Sequence, residues 1–205
     1  IDNTETPPSL PIKITEIFSS LLSIGQEVEE EFIKSKIFNI IEFLLTSLNR
    51  NDFLTFDFYL TFYKIFRIIR TCELRSQLFV HILMSFSLWS NAAAKETERI
   101  VDHWQTTLYE QFMPESVRLF SMEKLLYLMN DYFPYSGNFH ITSIRASLIK
   151  IMYYISTTSG LQQNDINALI GESLILGSDN KPPQDKITDL LKLIHDLATS
   201  PSKPL

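Results

Sequence analysis

Residues 33–48, IKSKIFNIIEFLLTSL, and residues 53–71, FLTFDFYLTFYKIFRIIRT, carry the pattern that decides the fold. In the first, Ile33, Ile37, Ile40, Ile41, Leu44, Leu45 and Leu48 return after three and four positions, the spacing of one face of an α-helix. The second is apolar nearly all round, which predicts the most buried helix of the chain. Neither stretch alternates with the period of two that a half-buried strand requires.

The same period extends outward in both directions. Residues 12–24 place Ile14, Ile17, Phe18, Leu21 and Leu22 on one face, and Glu27, Glu29, Glu30 and Glu31 read as an acidic turn before the second helix. Those carboxylates are explained by favourable contact with a helix N-terminus, not by metal binding. A capped turn at residues 49–52 opens the third helix, residues 53–71, and a fourth carries Leu74, Leu78, Ile82, Leu83 and Phe86 to about Ser90 and Asn91. A fifth turns Thr97, Ile100, Val101, Trp104, Leu108 and Phe112 inward. Pro114 opens a sixth, with Val117, Phe120, Leu125, Leu126, Met129 and Phe133 as its stripe. Residues 134–138 end it. A seventh uses Ile141, Ile144, Leu148, Ile151, Met152 and Ile155, an eighth Ile166, Leu169, Ile170 and Leu174, and a ninth Ile187, Leu190, Leu191, Ile194 and Leu197.

Hairpins of these helices recur every ~40 residues, the period of armadillo and HEAT arrays, although no residue-level repeat is crisp. The expected fold is therefore all-α, an armadillo/HEAT-like α-solenoid of about nine helices, with a single globular helical bundle as the alternative. Residues 1–11 read as an extended or disordered lead-in, 12–199 as the solenoid and 200–205 as a flexible tail. The lead-in has no initiator Met, basic segment or cleavage site, which reads as an internal cut from a longer polypeptide.

Composition narrows the function. Of 205 residues, 45% are hydrophobic and 20% charged, enough for a substantial core, and five glycines are too few for a turn-rich β protein. A net charge of −6 argues against a phosphate-tracking surface, so no nucleic-acid partner is expected. Cys72 is the single cysteine, which rules out an internal disulfide and points to a reducing, cytoplasmic setting. The apolar windows are interrupted by Glu42, Asp57, Lys64 and Arg67, so no membrane span is predicted.

Catalytic patterns fail in turn. His81, His103, His140 and His195 never stand four apart around a Glu, as a two-histidine zinc helix requires. The glycines are isolated and precede no Lys–Ser or Lys–Thr, so no phosphate loop is present. No Gly-x-Ser-x-Gly elbow occurs, and Cys72 lacks protease-like flanks. Glu96, Glu98, Glu115 and Glu123 alternate with Lys95, Arg99, Arg118 and Lys124, the pattern of solvated helix faces. The expectation is a non-enzyme with no cofactor and no metal. Trp89 and Trp104 read as core anchors.

One polar feature stands out on an apolar helix. Lys64, Arg67 and Arg70 recur every three residues, with Arg75 just beyond, as a basic strip in an acidic protein. It is the candidate contact for a protein partner or anionic lipid; the plainer reading is a solvated edge whose long stems lie along apolar surface.

The order of segments resembles a known family. ELRSQLFVHILMSFSLWSNA, ETERIVDHWQTTLYEQF and SVRLFSMEKLLYLMNDYF are similar to the armadillo-like region of BEACH-domain proteins of the beige and neurobeachin type. The likeness rests on the Leu88–Trp89 step, the amphipathic helix of residues 96–108, and Leu125–Leu126 closing on Tyr132–Phe133. It covers residues 74–197; the N-terminal third does not align, and Pro134 departs from the pattern. The Ile/Asn/Ser-rich composition looks fungal. The resemblance implies a segment of a very large cytoplasmic protein in which lectin-like, PH-like, BEACH and WD40 modules accompany the solenoid. It further implies a scaffold for vesicle trafficking and protein sorting, peripheral on endomembranes, whose partners are proteins or other modules of the same chain. An unrelated HEAT-like adaptor and a peripheral membrane-binding module are the alternatives.

The two ends differ. The first helix shows little charge beyond Lys13 and Glu16, whereas the ninth carries Asp185, Lys186, Asp189, Lys192 and Asp196. An apolar face is therefore expected at the N-terminal end.

Overall fold

Polar residues at the helix ends and aromatic residues between them set the architecture seen in a computed structural model, which describes residues 10–47, 52–110, 122–134, 137–159 and 195. No strand occurs among the described residues. The chain divides into two compact units, Ile1–Glu96 and Thr97–Leu205.

In the first unit, α1 (Leu10–Ile24) precedes α2 (Gln26–Ser35) and α3 (Ile37–Ser47), and α4 (Phe56–Ile68) precedes α5 (Cys72–Leu78), a π-helical turn (Phe79–Leu83) and the short α6 (Phe86–Trp89). The two sets stack in register: α1 packs on α4, α2 on α5, and α3 on the π turn and α6. That is the side-by-side packing of successive helix pairs in a solenoid. Phe58, Tyr59, Phe62, Ile65 and Phe66 of α4 are buried, each worth ~1.5–3 kcal/mol on the usual area scale, so the helix expected to be most buried does anchor this unit.

Three local details differ from the periodic reading. The acidic residues from Glu27 onward form helix α2 and not a turn, because Lys36 takes the left-handed conformation (φ 51°, ψ 45°) that closes it. That step resets the helical phase, so the face set by Ile33 and Ile37 does not carry over. In α3, Phe38 is fully buried and Glu42 faces the next pair, while Ile40, Phe43 and Leu44 stand 46%, 68% and 56% exposed. Ile17, expected inward on α1, is exposed as well. The fourth predicted helix is really three segments. Met84 N–H donates to the Phe79 carbonyl at 2.8 Å, the five-residue step of a π turn, and Ser85 then caps α6 by accepting from Leu88 N–H. The widened turn leaves the Ile82 carbonyl weakly bonded within the helix, and the Trp89 indole N–H donates to it at 2.6 Å. Trp89 also meets the Tyr59 ring edge-on, which accounts for its full burial.

The second unit contains most of α7 (Ala94–Glu110), α8 (Met122–Tyr132) and α9 (Phe139–Ser159). The described parts of the expected stripes are buried, apart from the half-buried Ile141: Thr97, Ile100, Val101 and Trp104 on α7, Leu125, Leu126, Met129 and Phe133 on and after α8, and Ile144, Leu148, Ile151, Met152 and Ile155 on α9. α8 packs on α9. The predicted opening of the sixth helix at Pro114, the eighth helix, nearly all of the ninth, residues 1–9 of the lead-in and the tail lie outside the described residues, while residues 10 and 11 of the lead-in already belong to α1.

Candidate functional site

The basic strip is not one helical line. Lys64 and Arg67 lie on the exposed side of α4, but that helix closes at Ile68, and Ile69 is extended (φ −60°, ψ 134°). Arg70 therefore sits in the corner before α5, where its backbone N–H donates to Glu29 Oε1 at 3.1 Å. Arg75, in the first turn of α5, turns back so that its guanidinium lies 4.7 Å from the centre of the Phe66 ring. All four cations are exposed and fall within about a turn of this corner. No salt bridge engages any of them among the described residues. Cys72, at the same corner, is a free and exposed thiol.

A second set of polar groups, solvated or dipolar by sequence pattern, lies between the helices. Glu29 is 1% exposed; its carboxylate accepts from Arg70 N–H and, at 2.9 Å, from Thr71 N–H, closing the start of α5 from a different helix. Burial pushes its carboxyl up, but the amide bonds from Thr71 and Arg70, with the nearby Arg70 charge, hold it below the usual carboxylate range. Glu96 does the same for α4: its Oε2 accepts from Phe56 N–H at 2.7 Å, beside the Thr55 cap that bonds Phe58 N–H. These two are helix caps supplied in trans and not solvated charges.

Glu42 is the centre of a third group. His81 Nδ1 approaches Oε2 at 2.8 Å, and the hydroxyls of Ser85 and Ser87 donate to Oε1 at 2.5 and 3.1 Å. The Ser85 hydroxyl proton points at the carboxylate and its oxygen accepts from Leu88 N–H, so this buried serine holds a helix cap. The second unit repeats the device. Glu98 receives the hydroxyl of Ser143 and the imidazole Nδ1 of His140, the latter at 2.5 Å, and these bonds lower its carboxyl despite its burial. Ser147 donates to Asp102 at 2.7 Å. Arg145, 2% exposed, donates to the carbonyls of Phe133 at 2.9 Å and Met129 at 3.4 Å, capping the end of α8.

The remaining histidines are spread apart. His103 lies by the Thr107 hydroxyl, and its burial lowers its pKa; His195 is exposed. No group of three potential metal ligands comes together among the described residues. No helix of the described residues is long and apolar enough to cross a membrane. Glu115 lies outside the described residues, and the side chain of Glu123 is not described.

Residues 2–137 fit the family described as the Neurobeachin/BDCP, DUF4704 alpha solenoid region. This is about two thirds of the chain, and it includes the N-terminal third that the sequence resemblance left out. No curated protein and no solved structure matches.

Proposed function

Because the chain belongs to the Neurobeachin/BDCP alpha solenoid family, we propose that it is a non-catalytic scaffold segment of a large BEACH-type protein, holding protein partners or neighbouring modules of the same chain during vesicle trafficking and protein sorting. The observation that carries this reading is the use made of the buried and half-buried polar groups. Glu29, Glu42, Glu96, Glu98 and Arg145 each close a helix end or tie one helix to the next, which commits them to shape. Stacked helix pairs gain their function from the extended surface that such bonds keep rigid. The single free cysteine fits work on the cytoplasmic side of endomembranes, and the Ile/Asn/Ser-rich composition fits a fungal member of the family.

The test is genetic and structural together. Deleting residues 10–159 from the parent protein should missort a membrane cargo, and the intact segment should restore sorting. Variants His81→Asn and His140→Asn, screened for unchanged helix content and melting, should restore it too. Loss of sorting in a variant that folds and melts like the parent would mean that side-chain chemistry, and not scaffolding, is the contribution.

A further inference from the structure

The corner between α4 and α5 gathers positive charge. Between residues 63 and 75, Lys64, Arg67, Arg70 and Arg75 are exposed against one exposed acid, Glu73, in a chain of net charge −6. The corner is also held in place. Glu29 clamps the two amides that lead into α5, and the Arg75 guanidinium rests against Phe66, so the cations project from a fixed turn. Among them stands Ile68, 42% exposed and one helical turn from Lys64.

We propose that this corner docks on an anionic membrane surface, with the four cations meeting lipid headgroups and Ile68 entering the boundary of the acyl chains. Cations next to a negatively charged leaflet each strengthen binding by roughly fivefold, so four together give on the order of several hundredfold. The exposed isoleucine selects lipid over an acidic peptide. An aliphatic side chain gains by leaving water for the acyl boundary and gains nothing from a carboxylate-rich partner. Without a spanning helix among the described residues, this contact is peripheral, salt-sensitive and reversible. It is independent of the scaffold reading, which stands or falls on sorting.

Co-sedimentation of the 205-residue chain with vesicles of phosphatidylcholine alone, or mixed with phosphatidylserine, tests the proposal. Binding should require phosphatidylserine and weaken with added salt. The double variant Lys64→Gln, Arg67→Gln should bind about twenty-five-fold more weakly, two steps of roughly fivefold. Both side chains are exposed, so its melting should match the parent. If it does not, Ile68→Trp gives a separate readout. Trp89 and Trp104 are buried, so a blue shift of emission on adding anionic vesicles reports the new residue. Equal binding to both vesicle types, equal binding by the double variant, or no emission shift overturns the proposal. Retention on polyglutamate without binding to phosphatidylserine also overturns it, and assigns the corner to an acidic protein.

Discussion

Glu29→Ala removes a carboxylate that reaches from α2 to the first amides of α5. The side chain is 1% exposed and accepts from Arg70 and Thr71 N–H at 3.1 and 2.9 Å. Hydrogen bonds to a charged group contribute about 1.5–3 kcal/mol each, and stranding a donor adds a desolvation cost. Arg70 is itself exposed, which lets water reach part of the corner and places each bond at the low end of that range. The loss is then about 3 kcal/mol for the pair, with a further ~0.5 kcal/mol from the negative charge at a helix N-terminus. Urea titration followed by far-ultraviolet circular dichroism measures it as a lower midpoint at unchanged slope. The effect also has a pH signature. The folded carboxyl lies below its reference value of 4.5, so its stabilisation is full above that value and is lost as pH falls through the lower, folded one. The gap between parent and variant should therefore be constant from neutrality to about pH 5 and close on further acidification. A loss under about 0.5 kcal/mol at neutral pH, or a gap that does not change with acid, would refute the capping role.

Leu126→Ala should cost on the order of 2–5 kcal/mol in the same titration, because the side chain is 5% exposed within the α8 stripe; a loss within error would mean it can collapse onto its neighbours. Arg145→Met keeps much of the volume but strands the Phe133 and Met129 carbonyls, and should cost about 1–3 kcal/mol, with faster amide exchange at the end of α8 as the local readout. Phe43→Lys with Leu44→Lys should leave stability nearly unchanged, since both residues are more than half exposed, and should suppress any concentration-dependent association seen by light scattering. A strictly monomeric parent at high concentration would show that the apolar face of α3 does not drive association.

The core was legible where a helix ran unbroken. The stripes through Ile100 and Trp104, through Leu125 and Met129, and through Ile144 to Ile155 could be read from the three-to-four period alone. The period misled where the backbone departed from it without a local signal. Lys36 is neither glycine nor asparagine, the usual residues of a left-handed closure, so nothing in SKI announced the phase change that exposes Ile40 and Leu44. The π turn at Phe79–Leu83 also lacks a marker, and the Ile82 carbonyl it loosens is taken up by the Trp89 indole of the next helix. The basic strip was half legible. The three-residue period holds from Lys64 to Arg67, then Arg70 is placed by Glu29 and Arg75 by Phe66, both contacts from outside the helix.

Those outside contacts reveal where the repeat is recorded. Apolar positions accept Leu, Ile or Phe at modest cost while volume is kept, so they need not repeat residue by residue. A buried carboxylate has no such freedom, because it needs particular donors at particular places. In the first unit, Glu29 meets partners 41 and 42 residues on, Glu42 meets His81, Ser85 and Ser87 at separations of 39, 43 and 45, and Glu96 reaches back 40 to Phe56. In the second, Glu98 and His140 are 42 apart and Asp102 and Ser147 are 45 apart. Each separation equals roughly one helix pair, the ~40-residue period of such arrays. The polar bonds thus set which pair stacks on which and at what offset, while the apolar faces supply most of the free energy once that offset is chosen. Shifting the register by one helical turn would keep much of the apolar contact but leave the buried Glu29 and the half-buried Glu42 and Glu98 without donors, which is why the stacking settles on one alignment.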